Sequence, residues 1–186
     1  MYIQMPPTNF RIALCYLLTA SRALAWSLAA VLTSCGGGNS SSNSTASEST
    51  SAISSYFSAH YAQAQTQLAL DSNATLRQLA SQGYLCSGNQ ASAMLQIKTS
   101  SISTFTADAV AYVRSTAQSG KALDKLSITS LMDSYLNQDL LWLSNPTSAL
   151  GGNCGWPAAL LSTLQTQLAQ AANNSYATAA AQIGAL

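Results

Sequence analysis

From position 53 to position 183 the apolar residues recur at helical spacing. A first stripe runs Ile53, Phe57, Tyr61, Ala64, Leu68, Leu76, Leu79. A second runs Ala91, Met94, Leu95, Ile102, Phe105, Ala109, Tyr112, Val113. A third runs Ile128, Leu131, Met132, Tyr135, Leu136, Leu140, Leu143, and a fourth Leu160, Leu164, Leu168, Ala172, Tyr176, Ile183. Spacings of three and four place each set on one helix face, which must be buried to be stable. Punctuation falls between the stripes: Gly83 and Gly88, Gly120, Asn145-Pro146 with Gly151-Gly152, and Pro157 ahead of the fourth. Asp124, Ser127 or Thr129 is the candidate cap of the third helix.

The pattern predicts an all-α domain, an up-and-down four-helix bundle with helices over 53–82, 90–118, 124–144 and 157–183. Asp71-Ser72-Asn73 is a possible break in the first helix. The run TSSIST at 99–104 is a weak helix former, and a short strand is the alternative there. The pentapeptide QTQLA occurs at 65–69 and again at 165–169, which is shared composition rather than a repeat architecture.

Before the stripes the pattern changes twice. ALAWSLAAVL at 23–32 is apolar but for Ser27 and follows Arg22. Its ten residues match a signal-peptide core and are too few to span a bilayer. An earlier apolar run, IALCYLLTA at 12–20, would extend it to 21 residues, but Arg22 near the centre opposes a stable span. A true start near Leu17 or Leu18 fits this better than Met1. After position 35, GGGNSSSNSTASESTSA has no apolar period and reads as a flexible tether over 35–52.

Leu32-Thr33-Ser34-Cys35 resembles the lipobox of bacterial lipoproteins. That resemblance covers the first fifth of the chain. It implies cleavage of residues 1–34, a diacylglyceryl group on the Cys35 thiol and an acyl group such as palmitate on the new amine. Two chains are needed because one anchors only marginally. Gly36, in place of an aspartate, resembles the outer-membrane members of that class. The implied location is the periplasmic face of the outer membrane, with 53–186 as the helical domain.

In that compartment the four cysteines divide. Cys15 leaves with the signal and Cys35 takes the lipid, so Cys86 and Cys154 form the expected disulfide. Both lie in glycine-marked loops, and their bond closes a loop of about 68 residues, for a chain-entropy stabilisation of roughly 4 kcal/mol. In an up-and-down bundle their two connections share a pole, which makes the bond geometrically natural.

Charge removes several function classes. The 186 residues hold 7 Lys+Arg and 6 Asp+Glu, a net charge of +1. Nothing supports nucleic-acid binding or polybasic membrane binding. No phosphate loop, dinucleotide fingerprint, nucleophile elbow or metal-ligand spacing is present, so no cofactor or metal is expected. Carboxylates for catalysis must come from Asp71, Asp108, Asp124, Asp133 and Asp139; the last two lie six apart and do not share a face. His60 beside Tyr61 reads as a rim histidine, with a general base assisted by an aspartate as the functional alternative. Lys98 and Arg114 read as solvated or snorkelling, with anion binding as their alternative. Tyr84, Trp142 and Trp156 gather around the expected disulfide pole and are the candidate partner-binding residues.

These readings give a lipid-anchored, non-catalytic envelope domain that binds or escorts another envelope protein. Secretin pilotins and toxin-immunity lipoproteins share that general plan, an analogy of architecture alone. A small-ligand carrier using the bundle interior is the second reading, and a hydrolase using His60 and an aspartate the third.

Overall fold

The computed structural model describes residues 44–186. The expected signal segment 1–34, the expected lipidation residue Cys35 and the expected tether up to 43 lie outside the described residues. Every regular element among the described residues is helical. The order is α1 (Ser44–Ser81), α2 (Gly88–Gln118), α3 (Lys125–Leu140), a single 3-10 turn (Trp142–Ser144), α4 (Pro146–Leu150) and α5 (Ala158–Gly184). None of these helices is long and apolar enough to cross a membrane.

The apolar stripes become the core. Ile53, Phe57, Met94, Ile102, Phe105, Val113, Ile128, Met132, Leu164, Leu168, Tyr176 and Ile183 are all buried. Local chemistry sets the helix ends. Asp124 accepts from the Ser127 amide at 3.1 Å to open α3, and Ser87 accepts from the Gln90 amide at 3.4 Å to open α2. Asn145 caps α4, whose first residue is Pro146, a position where the missing N–H costs nothing.

Four expectations are corrected. α1 begins at Ser44, nine positions ahead of 53, so part of the expected tether is helix. Its Asp71-Ser72-Asn73 stretch continues as helix; Asp71 accepts from Gln67 Nε2 at 2.8 Å, one turn back. The third segment does not run to 144: α3 stops at Leu140 and the chain turns through the 3-10 turn into α4. The stretch 99–104 is helical, so the strand alternative falls.

Helix order around the core also differs from the simplest up-and-down arrangement, in which sequence neighbours pack together. α2 packs extensively on α1 and on α5, and α5 also packs on α3; α3 touches α1 more lightly. Length supplies the reason. At 1.5 Å per residue α3 is about 24 Å long and cannot cover α2 at about 46 Å, whereas α5, about 40 Å, can.

Polar contacts identify the two ends. At one, the Ser49 hydroxyl donates to the Ala122 carbonyl, and Lys125 Nζ donates to the Gly184 carbonyl at 3.1 Å. The start of α1, the α2–α3 connection and the end of α5 therefore share a pole. At the other, Cys86 and Cys154 are bonded, with an S–S distance of 2.08 Å, as expected from the sequence.

Gly151 closes the disulfide pole. It terminates α4 at φ +74°, a conformation L side chains rarely adopt, and a Cβ there would overlap the Leu76 side chain on α1. Gly151→Ala is expected to destabilise the domain by about 1–3 kcal/mol. Urea unfolding checks this, and an unchanged midpoint would show that Leu76 and the backbone relax at no cost.

Candidate functional site

The most chemically dense place in the domain is its centre. Lys98 on α2 and Asp139 on α3 are both buried, 1% exposed each. Lys98 Nζ donates to Asp139 Oδ1 at 2.7 Å. Tyr61 on α1 donates its hydroxyl to the same oxygen at 2.8 Å, and Tyr176 on α5 donates to Oδ2 at 2.7 Å. One carboxylate thus collects a donor from each of the other three long helices.

Aromatic rings wall the cluster. Phe105 packs edge-on against Tyr61 at 5.2 Å and Tyr135 at 5.3 Å between centroids, and Tyr61 lies 4.6 Å from Tyr135. Burial first, and then the Asp139 carboxylate, push the Tyr61 and Tyr176 phenols well above their ordinary pKa. Both stay protonated donors at every physiological pH. With three donors in place around a buried carboxylate, the cluster neutralises and satisfies itself. Its polar groups are hydrogen-bonded to one another between the helices.

The sequence reading placed Lys98 among solvated or snorkelling side chains; it is instead the buried partner of Asp139. Asp139 itself stood only as one of five catalytic carboxylates. A signal for both existed. Lys98 sits four residues after Met94 and four before Ile102, and Asp139 four after Tyr135, so each is in phase with a buried stripe. Asp133 is exposed, in keeping with its different face, and Arg114 is exposed on α2.

His60 is brought to Tyr56, not to an acid. Its ring stacks on Tyr56 at 3.9 Å, and Tyr56 stacks on Tyr112 at 3.7 Å. No aspartate hydrogen-bonds to it among the described residues, and no group of three His, Cys, Asp or Glu there is placed to hold a metal ion.

The second place is the disulfide pole. Gln90, fully buried, works as a clamp inside it. The Cys86 amide donates to Gln90 Oε1 at 2.7 Å, while Gln90 Nε2 donates to the carbonyls of Leu150 at 2.5 Å and Gly151 at 2.8 Å. The two loops that carry the cysteines are therefore joined by hydrogen bonds as well as by sulfur. Gln90 was missed in the sequence because a glutamine one residue before the Ala91 stripe looks like an exposed first-turn residue.

The three aromatics expected here have different settings. Tyr84 is 48% exposed, and its neighbour Leu85 is 49% exposed. Trp142 and Trp156 are half-buried against the core. The Trp156 indole N–H is buried without an acceptor among the described residues. Trp142 lines a groove of about 400 Å³ with Leu76, Met94, Ala149 and Gly151.

Comparison with protein-family models, with curated proteins and with solved structures finds no match for this chain.

Asp139→Ala is expected to destabilise the domain by about 3–5 kcal/mol, because Lys98 is left as an uncompensated buried charge. Removing the charges and donors together, with Lys98→Met, Asp139→Leu, Tyr61→Phe and Tyr176→Phe, should recover most of that loss, since an apolar core of similar volume is often neutral. Denaturant unfolding of the two variants decides it; equal losses would contradict this account of the cluster.

The phenols also set an alkaline limit. Their folded pKa values lie above the ordinary 10.0, so the folded state holds these protons more tightly than the unfolded chain. Their contribution is complete below about pH 10 and is lost as the pH rises further, through the folded values. Unfolding midpoints measured from pH 7 to 11 should fall only at the alkaline end, and less so in Tyr61→Phe with Tyr176→Phe.

Proposed function

We propose that this chain is a lipid-anchored, non-catalytic helical domain of the cell envelope, its four long helices forming one bundle, which binds or escorts another envelope protein. The anchor is Cys35 within Leu32-Thr33-Ser34-Cys35, and the location is the periplasmic face of the outer membrane. The observation that carries the binding part is the exposed pair Tyr84–Leu85, next to the disulfide and at the end of the domain opposite the start of α1.

Several features support a docking role for that pair. The disulfide and the Gln90 clamp fix the backbone on which Tyr84 and Leu85 stand. A fixed loop loses little conformational freedom on binding, so more of the contact energy is kept as affinity. Tyrosine is a common binding anchor because it combines a large apolar face with a hydroxyl. The near-neutral charge fits a partner recognised by shape and apolar contact rather than by electrostatic steering. The reactive groups at the centre are spent on one another, which leaves the surface to carry function.

A photo-crosslinking residue at position 84 or 85 in the full-length, membrane-anchored protein is expected to capture one dominant envelope protein in cells. The same residue at Ser134, exposed on α3, should not. Tyr84→Ala with Leu85→Ala should weaken binding of the captured protein by roughly 10- to 100-fold, the scale of a lost hot spot, with an unchanged unfolding midpoint. No product from either site, or the same products from both, would overturn the proposal.

A further inference from the structure

The geometry points to the opposite pole as a membrane seat: Leu126 and Leu186 enter the boundary between lipid headgroups and acyl chains, and Lys121 and Lys125 meet lipid phosphates. This rests on the anchored reading of Cys35. Three observations carry it.

The first is exposure. Leu126 is 81% exposed, the most exposed large apolar side chain in the described residues, and Leu186 is 39% exposed. They stand on different elements but at one place, because Lys125 Nζ reaches the Gly184 carbonyl at 3.1 Å. Leu126 stands in the first turn of α3, next to Lys125, which reaches the end of α5.

The second is charge. Lys121 is exposed in the α2–α3 connection and Lys125 is half-buried at the start of α3. The carboxylate between them, Asp124, is exposed and ionised, and accepts from the Ser127 amide at 3.1 Å and the Ser127 hydroxyl at 2.6 Å. The three side chains sum to one net positive charge beside the leucines, and lysine next to apolar side chains is the combination found where protein meets a phosphate-bearing interface. That charge is too small to hold a protein on a membrane by itself, in keeping with a chain that has no polybasic segment. As an addition to a covalent anchor it need only orient the domain.

The third is the length of the tether. Ser44, the first residue of α1, lies nine positions after Cys35. Nine residues span at most about 30 Å even when fully extended. The Ser49 hydroxyl bonds to the Ala122 carbonyl, so the start of α1 and the connection bearing Lys121 share this pole. An acyl group at Cys35 therefore keeps this end within reach of the bilayer at high effective concentration. With the pole seated, Tyr84 and Leu85 stand off by about the length of α1, roughly 55 Å for 38 residues at 1.5 Å each.

The test uses the full-length protein, purified from the envelope and returned to vesicles of phosphatidylethanolamine and phosphatidylglycerol. Its mass reports acylation of Cys35. An environment-sensitive fluorescent amino acid is placed at Leu126 and, in a second variant, at Tyr84. The proposal expects the position-126 probe to shift to the blue, to be quenched by nitroxide-labelled lipid and to be shielded from iodide, while the position-84 probe behaves as in water. Lys121→Glu should reduce lipid quenching at 126 several-fold. Acylated protein with both probes equally open to iodide overturns the seat and leaves the anchored reading standing. A probe at 126 shielded from iodide but untouched by lipid quencher overturns the seat in favour of a second copy of the chain. An unacylated Cys35 overturns both.

Discussion

The Asp139 carboxylate is the point at which the four long helices meet. A buried charge is costly unless every lone pair is answered, and here Lys98, Tyr61 and Tyr176 answer it from three other helices. The requirement is geometric as well as energetic. Each donor must arrive within about 3 Å of one group, so sliding any helix by one turn, about 5.4 Å, would break its bond. Apolar stripes alone tolerate such slips, because leucine against alanine is favourable in many registers. The cluster selects one register, and the ring packing around Phe105 fills the space that register creates.

That constraint also accounts for the helix order. α5 brings Tyr176 to Asp139 while lying along α2, and the short α3 needs only to deliver Asp139 before it ends one residue later. The chain after Leu140 then leaves the helical path, and Pro146, Gly151 and the disulfide rebuild the upper part of the domain as a compact cap. The titratable groups at the centre, Lys98, Asp139, Tyr61 and Tyr176, are hydrogen-bonded to one another. The two ends differ: one is held by the disulfide and exposes Tyr84 and Leu85, and the other exposes Leu126, Leu186 and Lys121.

Much of this was legible in the sequence, for reasons that differ by region. The second stripe, Ala91 to Val113, foretold α2 because nearly every member is buried. The start of α3 was legible to within a turn, with Asp124, Ser127 and Thr129 all eligible caps, and Asp124 is the one that caps it. The Cys86–Cys154 bond followed from counting. Less legible was the start of α1: Ser and Thr are indifferent helix formers, and residues 44–52 hold no apolar period of their own. They are helical as the leading turns of a helix whose buried face begins with Ile53 and Phe57, and Ser49 is held by Ala122 from far along the chain. Asp71-Ser72-Asn73 failed to break α1 for the related reason that a long helix outvotes three weak residues. Lys98 and Asp139 were hidden by the ordinary rule that charges face water. Their phase on the stripes argued otherwise, but a pairing between helices is a tertiary fact that no local window contains.

The central claim is that one carboxylate fixes four helices at once. Native-state amide hydrogen exchange, compared between the wild-type protein and Asp139→Asn, addresses it helix by helix. The account predicts that protection falls together in α1, α2, α3 and α5, most sharply around Tyr61, Lys98 and Tyr176. Loss of protection confined to the C-terminal turns of α3, with the other three helices unchanged, would contradict it.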